Sequence, residues 1–160
     1  MIVSFDELPG TARVWIYQAD KTFGQADLEV IAEEANKFFD GWAAHGAPLK
    51  SSYKVFHDKF LVIAVDEQFN QASGCSIDAS VGLVKTLEQK LGINFFDRSK
   101  VCFLVNDEIF ESSLTEIKQL VEQGKIQSDT PTFNNLVPNK DELESSWIIP
   151  AEESWLKRYF

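Results

Sequence analysis

The sequence predicts an α+β fold, namely a ferredoxin-like split βαβ (βαββαβ) antiparallel sheet with a C-terminal extension packed on it. Apolar periodicity gives the order strand, helix, strand, strand, helix, strand over residues 1–108. Right-handed crossover connections then favour this topology. No repeat or linker interrupts the chain, so we expect residues 1–160 to form a single domain, with 109–160 as a helical and loop extension.

The first strand and the first helix occupy the N-terminal quarter. Apolar residues alternate over 11–18, which is the period of a strand. Thr22 and Gln25 have the spacing of a capping box ahead of a helix. Gly46 and Pro48 are expected to stop the helical region. One helical face is predicted to carry Leu28, Ile31, Ala35, Phe38 and Trp42.

A hairpin, a second helix and a fourth strand follow. The strands are predicted over 51–56 and 59–65, and His57 and Asp58 form the turn between them. Gly92 supplies a stop signal for the helix, and 100–105 reads as the last strand of the sheet. The apolar face of the second helix is predicted to carry Ile77, Val81, Val84, Leu87 and Leu91.

The C-terminal third is less regular. Ser113 and Glu116 have capping-box spacing for a short helix, and Pro150 precedes a brief final one. A ferredoxin-like sheet has helices on one face only, so the other face, predicted to carry Trp15 and Tyr17, needs a cover. A dimer contact is the alternative to a cover made from this chain. The predicted covering residues are Phe133, Trp147, Trp155 and Tyr159.

The composition narrows the class of protein. The formal net charge is −10, from 25 acidic against 15 basic residues, and opposes binding to phosphate backbones or anionic lipid. We therefore expect no nucleic acid and no membrane as partners. The N-terminal segment lacks the features of a secretory signal, and two cysteines provide no disulfide framework. These features favour a reduced, cytoplasmic protein without a cofactor.

The predicted topology gathers polar residues at one end of the sheet. The connections 43–50, 66–78 and 106–108 all emerge there, near Arg13, whereas the hairpin turn at His57 lies at the opposite end. Glu67, Asp107 and Glu108 are also expected at this end. The binding candidates on this surface are His45, Lys50, Asp66, Asn70, Cys75, Ser76, Asp78 and Asn106.

Cys75 and His45 are weak catalytic candidates for a cysteine-dependent enzyme, as nucleophile and base. A helix start contributes about 0.3–1 kcal/mol in favour of a thiolate. Asp78, within about a turn, opposes it by roughly 1–3 kcal/mol. The aspartate dominates unless a protonated His45 lies closer, so a small structural cysteine is the alternative reading.

Nucleotide and metal sites have incomplete motifs. The stretch 41–48 has the glycine spacing of a phosphate-binding loop, but Ala47 and Pro48 stand where Lys and Ser or Thr belong. Weak anion binding at the start of the second helix stays open. Acidic residues and His45 share the predicted surface without any metal-ligand spacing, so we predict no metal site.

Several stretches resemble one protein family. RVWIYQ, GWAAHGAPLKSSY, VDEQFNQASGCSIDASV, FNNLV and IIPAEESW are similar to a family of small uncharacterised proteins best known from the Bacteroidetes, over nearly the whole chain. Members often carry the label ABC-transporter ATPase. This chain has no Walker A, Walker B or LSGGQ motif, so we expect no conventional ATPase. The resemblance implies a bacterial cytosolic protein and no particular catalytic residues.

Three functions follow from these observations. The first is a non-catalytic module that binds a small ligand or a protein partner at the loop end 43–50, 66–78 and 106–108. The second is a cysteine-dependent enzyme using Cys75 and His45. The third is a structural subunit of a homo-oligomer with a Trp-rich interface.

Overall fold

Two antiparallel sheets pack face to face between two layers of helices in the computed structural model, which describes residues 1–160. One buried cluster joins the first sheet to the two long helices. A second cluster lies between the sheets, and a third joins the second sheet to short C-terminal helices. The α+β class is confirmed, and the layers run helix, sheet, sheet, helix. No helix has the length and apolar content needed to cross a membrane.

The first sheet has three strands. Strand β5, Phe60–Val65, is the central one and is buried along its whole length. It pairs antiparallel with β1, Arg13–Gln18, on one side and with β4, Ser51–Phe56, on the other. Because both faces of β5 are covered, its apolar residues are continuous rather than alternating. A two-residue pair of strands, β2 (Ala43–Ala44) and β3 (Ala47–Pro48), precedes β4.

Helices α1, Gln25–Asp40, and α2, Gly74–Leu91, cover one face of this sheet. Helix α1 is capped by Gly24, whose N–H donates to Asp27 Oδ2 at 2.9 Å, and the predicted Thr22 cap is wrong. Helix α2 ends at Gly92 in a left-handed conformation (φ 65°), as the sequence predicted.

The second sheet contains the strand predicted to complete the first. Strand β6, Lys100–Val105, pairs with β7, Glu108–Ser113, and with β8, Pro131–Phe133. Strand β9, Ile148–Pro150, pairs with β8 at the edge. The ferredoxin-like topology is therefore not confirmed, because β6 lies in a separate sheet instead of pairing with β1. Short helices α3, Ile117–Glu122, and α4, Lys140–Ser146, complete the C-terminal part.

Three tight turns use left-handed backbone at both central residues. A two-residue hairpin turn of the primed type needs positive φ at these positions, which His, Asn and Asp accept more readily than most residues. The turns between β2 and β3 and between β6 and β7 are of this two-residue type. The predicted turn at His57 and Asp58 is present with the same left-handed backbone, but it is one residue longer than predicted, because Phe56 pairs with Phe60 and Lys59 belongs to the turn. The φ angles are 51° and 80° at His45 and Gly46, 54° and 49° at His57 and Asp58, and 54° and 60° at Asn106 and Asp107.

The cover over the second face of the first sheet is provided by the chain itself. Phe133 and Trp147 pack there, as predicted. The other two predicted residues do not, because Trp155 is 54% exposed and Tyr159 packs against the third cluster. The face that they cover carries Val14 and Ile16, whereas Trp15 and Tyr17 pack on the helix side. Our assignment of these two aromatic residues to the covered face was wrong, because an alternating strand with apolar residues on both sides does not show which side meets the helices.

Candidate functional site

The loops 43–50 and 66–78 meet at one end of the first sheet. Asn70 Nδ2 donates to the carbonyl oxygens of Ala47 and Pro48 at 3.1 and 3.3 Å. The N–H of Asp66 donates to the carbonyl of Lys50 at 2.9 Å. This meeting of segments about thirty residues apart in the chain is the one that the sequence predicted, and the hairpin turn of His57 lies at the other end of β4 and β5.

The third predicted segment does not join them. Asn106 and Asp107 are the exposed turn between β6 and β7, and Glu108 begins β7. No hydrogen bond or ion pair connects the three residues to either loop. The reason is the position of β6 in the second sheet, since the predicted grouping required this strand beside β1.

Three of the polar candidates serve the local backbone. Asp66 is buried and its Oδ1 accepts the N–H of Gln68 at 3.1 Å. Asn70 binds loop carbonyls as described, and Ser76 takes part in the cap of α2. The remaining candidate side chains, those of His45, Lys50, Cys75, Asp78 and Asn106, make no hydrogen bond within the protein.

The stretch SGCSID forms the first turn of α2. Ser73 is the cap, and its Oγ accepts the N–H of Ser76 at 3.1 Å, while Ser76 Oγ accepts the N–H of Ser73 at 2.7 Å. This is a capping box in which serine replaces the usual Glu or Gln. The indole Nε1 of Trp42 donates to the carbonyl of Ser76 at 2.8 Å, which ties the end of α1 to the start of α2.

The cysteine and histidine needed by an enzyme are both exposed at this end. No hydrogen bond joins Cys75 Sγ to the imidazole of His45, and neither group has another hydrogen-bond partner. No cluster of three or more imidazole, thiol or carboxylate groups is arranged to hold a metal ion.

The two cysteines are expected to differ sharply in reactivity. Burial raises the pKa of the Cys102 thiol to about 12. Because the thiolate is the reactive species, Cys102 should label with iodoacetamide only as fast as the protein unfolds, whereas exposed Cys75 should label directly. At pH 6 we expect Cys75 to react no faster than glutathione, measured by mass spectrometry. Faster alkylation at pH 6 would contradict this and favour the enzyme alternative.

An open cavity lies next to the two converging loops, between α1 and α2. Its volume is about 630 Å³, which is within the range of small-molecule pockets. The two helices run antiparallel here, because Trp42 at the end of α1 contacts the first turn of α2 while Glu34 pairs with Lys90 in its last turn. The apolar lining consists of Phe38, Trp42, Ala43, Ala79 and Leu83. We call this cavity the helix groove.

Three charged residues lie at the helix groove, namely the ion pair of Glu34 and Lys90 and the cation Lys37. The carboxylate of Glu34 accepts a hydrogen bond from Lys90 across the two helices, which holds the pKa of Glu34 below and that of Lys90 above their ordinary values. Lys37 also lines the groove; its ammonium forms no ion pair within 4 Å, but its charge contributes to the lowered pKa of Glu34, which lines the same groove. An ammonium group at the edge of an apolar cavity suits a ligand with an apolar body and an anionic end.

Sequence reasoning placed Phe38 and Trp42 on the core face of the first helix and did not find the helix groove. The groove exists because Gly41, Ala43 and Ala79 leave space between the helices. Small residues give no periodic signal, so the sequence offered no direct indication of it.

The chain was also compared with known proteins. No protein-family model, no curated protein and no solved structure was found to match it.

Proposed function

We propose that the protein is a non-catalytic binding module that holds a small amphipathic molecule in the helix groove. The observation that carries the proposal is the apolar cavity of about 630 Å³ with the unpaired cation Lys37 at its edge. The ligand has an apolar body, which contacts Phe38, Trp42 and Leu83, and a carboxylate or similar anion, which lies near Lys37.

The converging loops form the end wall of this site. Trp42 and Ala43 stand at the start of the first loop, and Ala79 directly follows the second. The hydrogen bonds of Asn70 and of the Trp42 indole hold the loops against each other, so the groove is formed before any ligand arrives. A preformed site avoids the entropy of ordering loops on binding. Residues 106–108 are not part of the proposed site.

The other two functions have less support. The cysteine-dependent enzyme requires an oriented base at Cys75, and the labelling experiment above tests it. The oligomer alternative relied on a Trp-rich surface; Trp147 is only 3% exposed, Trp15 is half-buried, and Trp155, at 54%, is the one exposed tryptophan of that set. Sedimentation at several concentrations tests that alternative.

The probe for the helix groove is 1-anilinonaphthalene-8-sulfonate, which has an apolar aromatic body and one anion. We expect a saturable fluorescence increase with the folded protein. Ala79→Trp fills the groove and should weaken binding at least about tenfold, equivalent to 1.4 kcal/mol. Lys37→Met should weaken it about fivefold, because one ion pair near water contributes about 1 kcal/mol.

The matched control is Ala26→Trp, which places the same indole on an exposed alanine at the start of α1, away from the groove. This variant should bind the probe as the unaltered protein does. Near-ultraviolet circular dichroism verifies that each variant is folded. The proposal is wrong if Ala79→Trp binds the probe normally, or if both tryptophan variants weaken binding equally.

A further inference from the structure

The helix groove is crossed at both ends by bonds between its two helices. At one end the Trp42 indole Nε1 donates to the carbonyl of Ser76 at 2.8 Å, and at the other end Lys90 pairs with Glu34. On α1, Trp42 follows Glu34 by eight positions. At 1.5 Å per residue, the two crossings are therefore about 12 Å apart along the helix axis. The space between them has a defined length as well as a volume.

The charged groups of the groove lie at one of these ends. Glu34 and Lys37 are one turn apart on α1, and Lys90 reaches Glu34 from the last turn of the antiparallel α2. Side chains on a helix tilt toward its N-terminus, so the ammonium of Lys37 is directed toward Glu34 and away from Trp42. The other end is formed by Trp42 and Ala43 and is apolar. The groove therefore has a polar end and an apolar end.

The residues that line or cross the polar end carry one net positive charge. Glu34 and Lys90 compensate each other in their ion pair, and Lys37 supplies the excess. The hydroxyl of Thr86, which also lines the groove, donates its hydrogen to the carbonyl of Gly82 at 3.0 Å and has none left for a ligand. A phosphate has three acceptor oxygens and about two negative charges, which one ammonium does not satisfy. The polar end therefore suits a carboxylate better than a phosphate.

The shape between the two ends favours an unbranched apolar chain. Helices α1 and α2 contribute to one buried cluster, and the axes of packed helices are about 8–10 Å apart. The groove is therefore narrow across the helices and long along them, with Phe38 on one helix and Leu83 on the other. An extended chain advances about 1.2 Å per single bond, as the main chain does, so about ten carbon atoms span the distance between the crossings.

We propose that the ligand of the helix groove is an unbranched medium-chain carboxylate of about ten carbon atoms. Its carboxylate lies at Lys37, and its terminal methyl group lies against Trp42 and Ala43. This assignment rests on the proposed function, to which it adds the class, the length and the orientation of the ligand. A shorter chain leaves the apolar end empty, and a longer chain meets the crossing formed by Trp42 and Ser76.

The test follows the Trp42 indole N–H resonance of ¹⁵N-labelled protein at pH 7 while even-numbered straight-chain carboxylates, from hexanoate to tetradecanoate, are added below their micelle-forming concentrations. We expect affinity to rise by at most about fourfold for each added CH₂ group as far as decanoate, and then to stop rising. Ala43→Leu fills the apolar end and should move the optimum to octanoate. Ala26→Leu adds the same side chain at the exposed start of α1 and should leave it at decanoate.

Charge reversal at the polar end tests the orientation of the ligand. Lys37→Glu should weaken decanoate binding at least about tenfold, because an attraction near water becomes a repulsion of similar size. The same variant should bind decyltrimethylammonium in preference to decanoate. Lys21→Glu makes the same change at an exposed lysine that precedes α1 and should leave decanoate binding unchanged.

Failure of this assignment can be told apart from failure of the proposed function. Affinity that keeps rising through tetradecanoate, or an optimum that Ala43→Leu does not move, would overturn the assignment. If 1-anilinonaphthalene-8-sulfonate still binds the unaltered protein and not Ala79→Trp, the groove remains a binding site for another class of ligand. If neither the sulfonate nor any carboxylate shifts the Trp42 indole resonance, both the proposed function and this assignment are wrong.

Discussion

Replacement of Trp147 by alanine is expected to lower the free energy of unfolding by about 3–5 kcal/mol, the usual loss for a buried tryptophan. Trp147 is 3% exposed between the two sheets, and its ring centroid lies 5.0 Å from those of both Phe60 and Phe133. Its indole Nε1 donates to Asn135 Oδ1 at 2.9 Å. The substitution removes these contacts together and leaves a cavity where the sheets meet.

Urea unfolding followed by far-ultraviolet circular dichroism measures this loss. Trp155→Ala is the matched control, because Trp155 is 54% exposed and its removal should change stability by no more than about 0.5 kcal/mol. Similar losses in the two variants would contradict the packing of the C-terminal segment over the first sheet. Deletion of residues 128–160 removes the whole cover of this face of the first sheet. Its effect should be larger, and the exposed apolar surface should make the protein aggregate.

Removal of one partner of the Lys59–Glu111 ion pair is expected to have the second largest effect. Lys59 Nζ lies 3.1 Å from Glu111 Oε1, and the side chains are 4% and 23% exposed. In Glu111→Leu the buried ammonium loses its counter-charge, and breaking such a pair costs about 3–5 kcal/mol. Because the carboxylate is partly in water, we expect the lower end of that range.

The double variant Lys59→Met with Glu111→Leu should recover most of the lost stability, since an apolar pair of similar volume replaces the buried charges. Lys90→Met is the control, because the Lys90 side chain is 50% exposed against 4% for Lys59, and it should cost less than about 1 kcal/mol. Both are measured by urea unfolding at pH 7. A double variant no more stable than Glu111→Leu alone would show that the residues matter through shape instead of charge.

Local sequence patterns predicted the strands of the first sheet and both long helices. They did not predict which strands pair with β6. Val101 and Phe103 on β6 belong to the buried cluster between the second sheet and the C-terminal helices, while Cys102 belongs to the cluster between the two sheets. A strand that is apolar on both faces fits a central position in either sheet. Only the pairing with β7 and β8 decides its place, and the sequence of β7, EIFESS, carries a weak apolar alternation.

The candidate site was predictable to the extent that it depends on the first sheet. The loops of Asn70 and Ser76 reach the predicted end because β4 and β5 hold them there. Our placement of Asn106 at this end was wrong, because Asn106 lies in the turn between β6 and β7 of the second sheet. The helix groove depends on missing volume beside Ala79 and Gly41, and no residue pattern signals an absent side chain.

The most direct test of the proposed binding site is amide and indole resonance mapping of ¹⁵N-labelled protein with 1-anilinonaphthalene-8-sulfonate. The largest shifts should fall on the Trp42 indole N–H and on the amides of Phe38 and Leu83, with Ile16 and Gln18 unchanged. Shifts concentrated along β1, or spread evenly over the surface, would contradict ligand binding between α1 and α2.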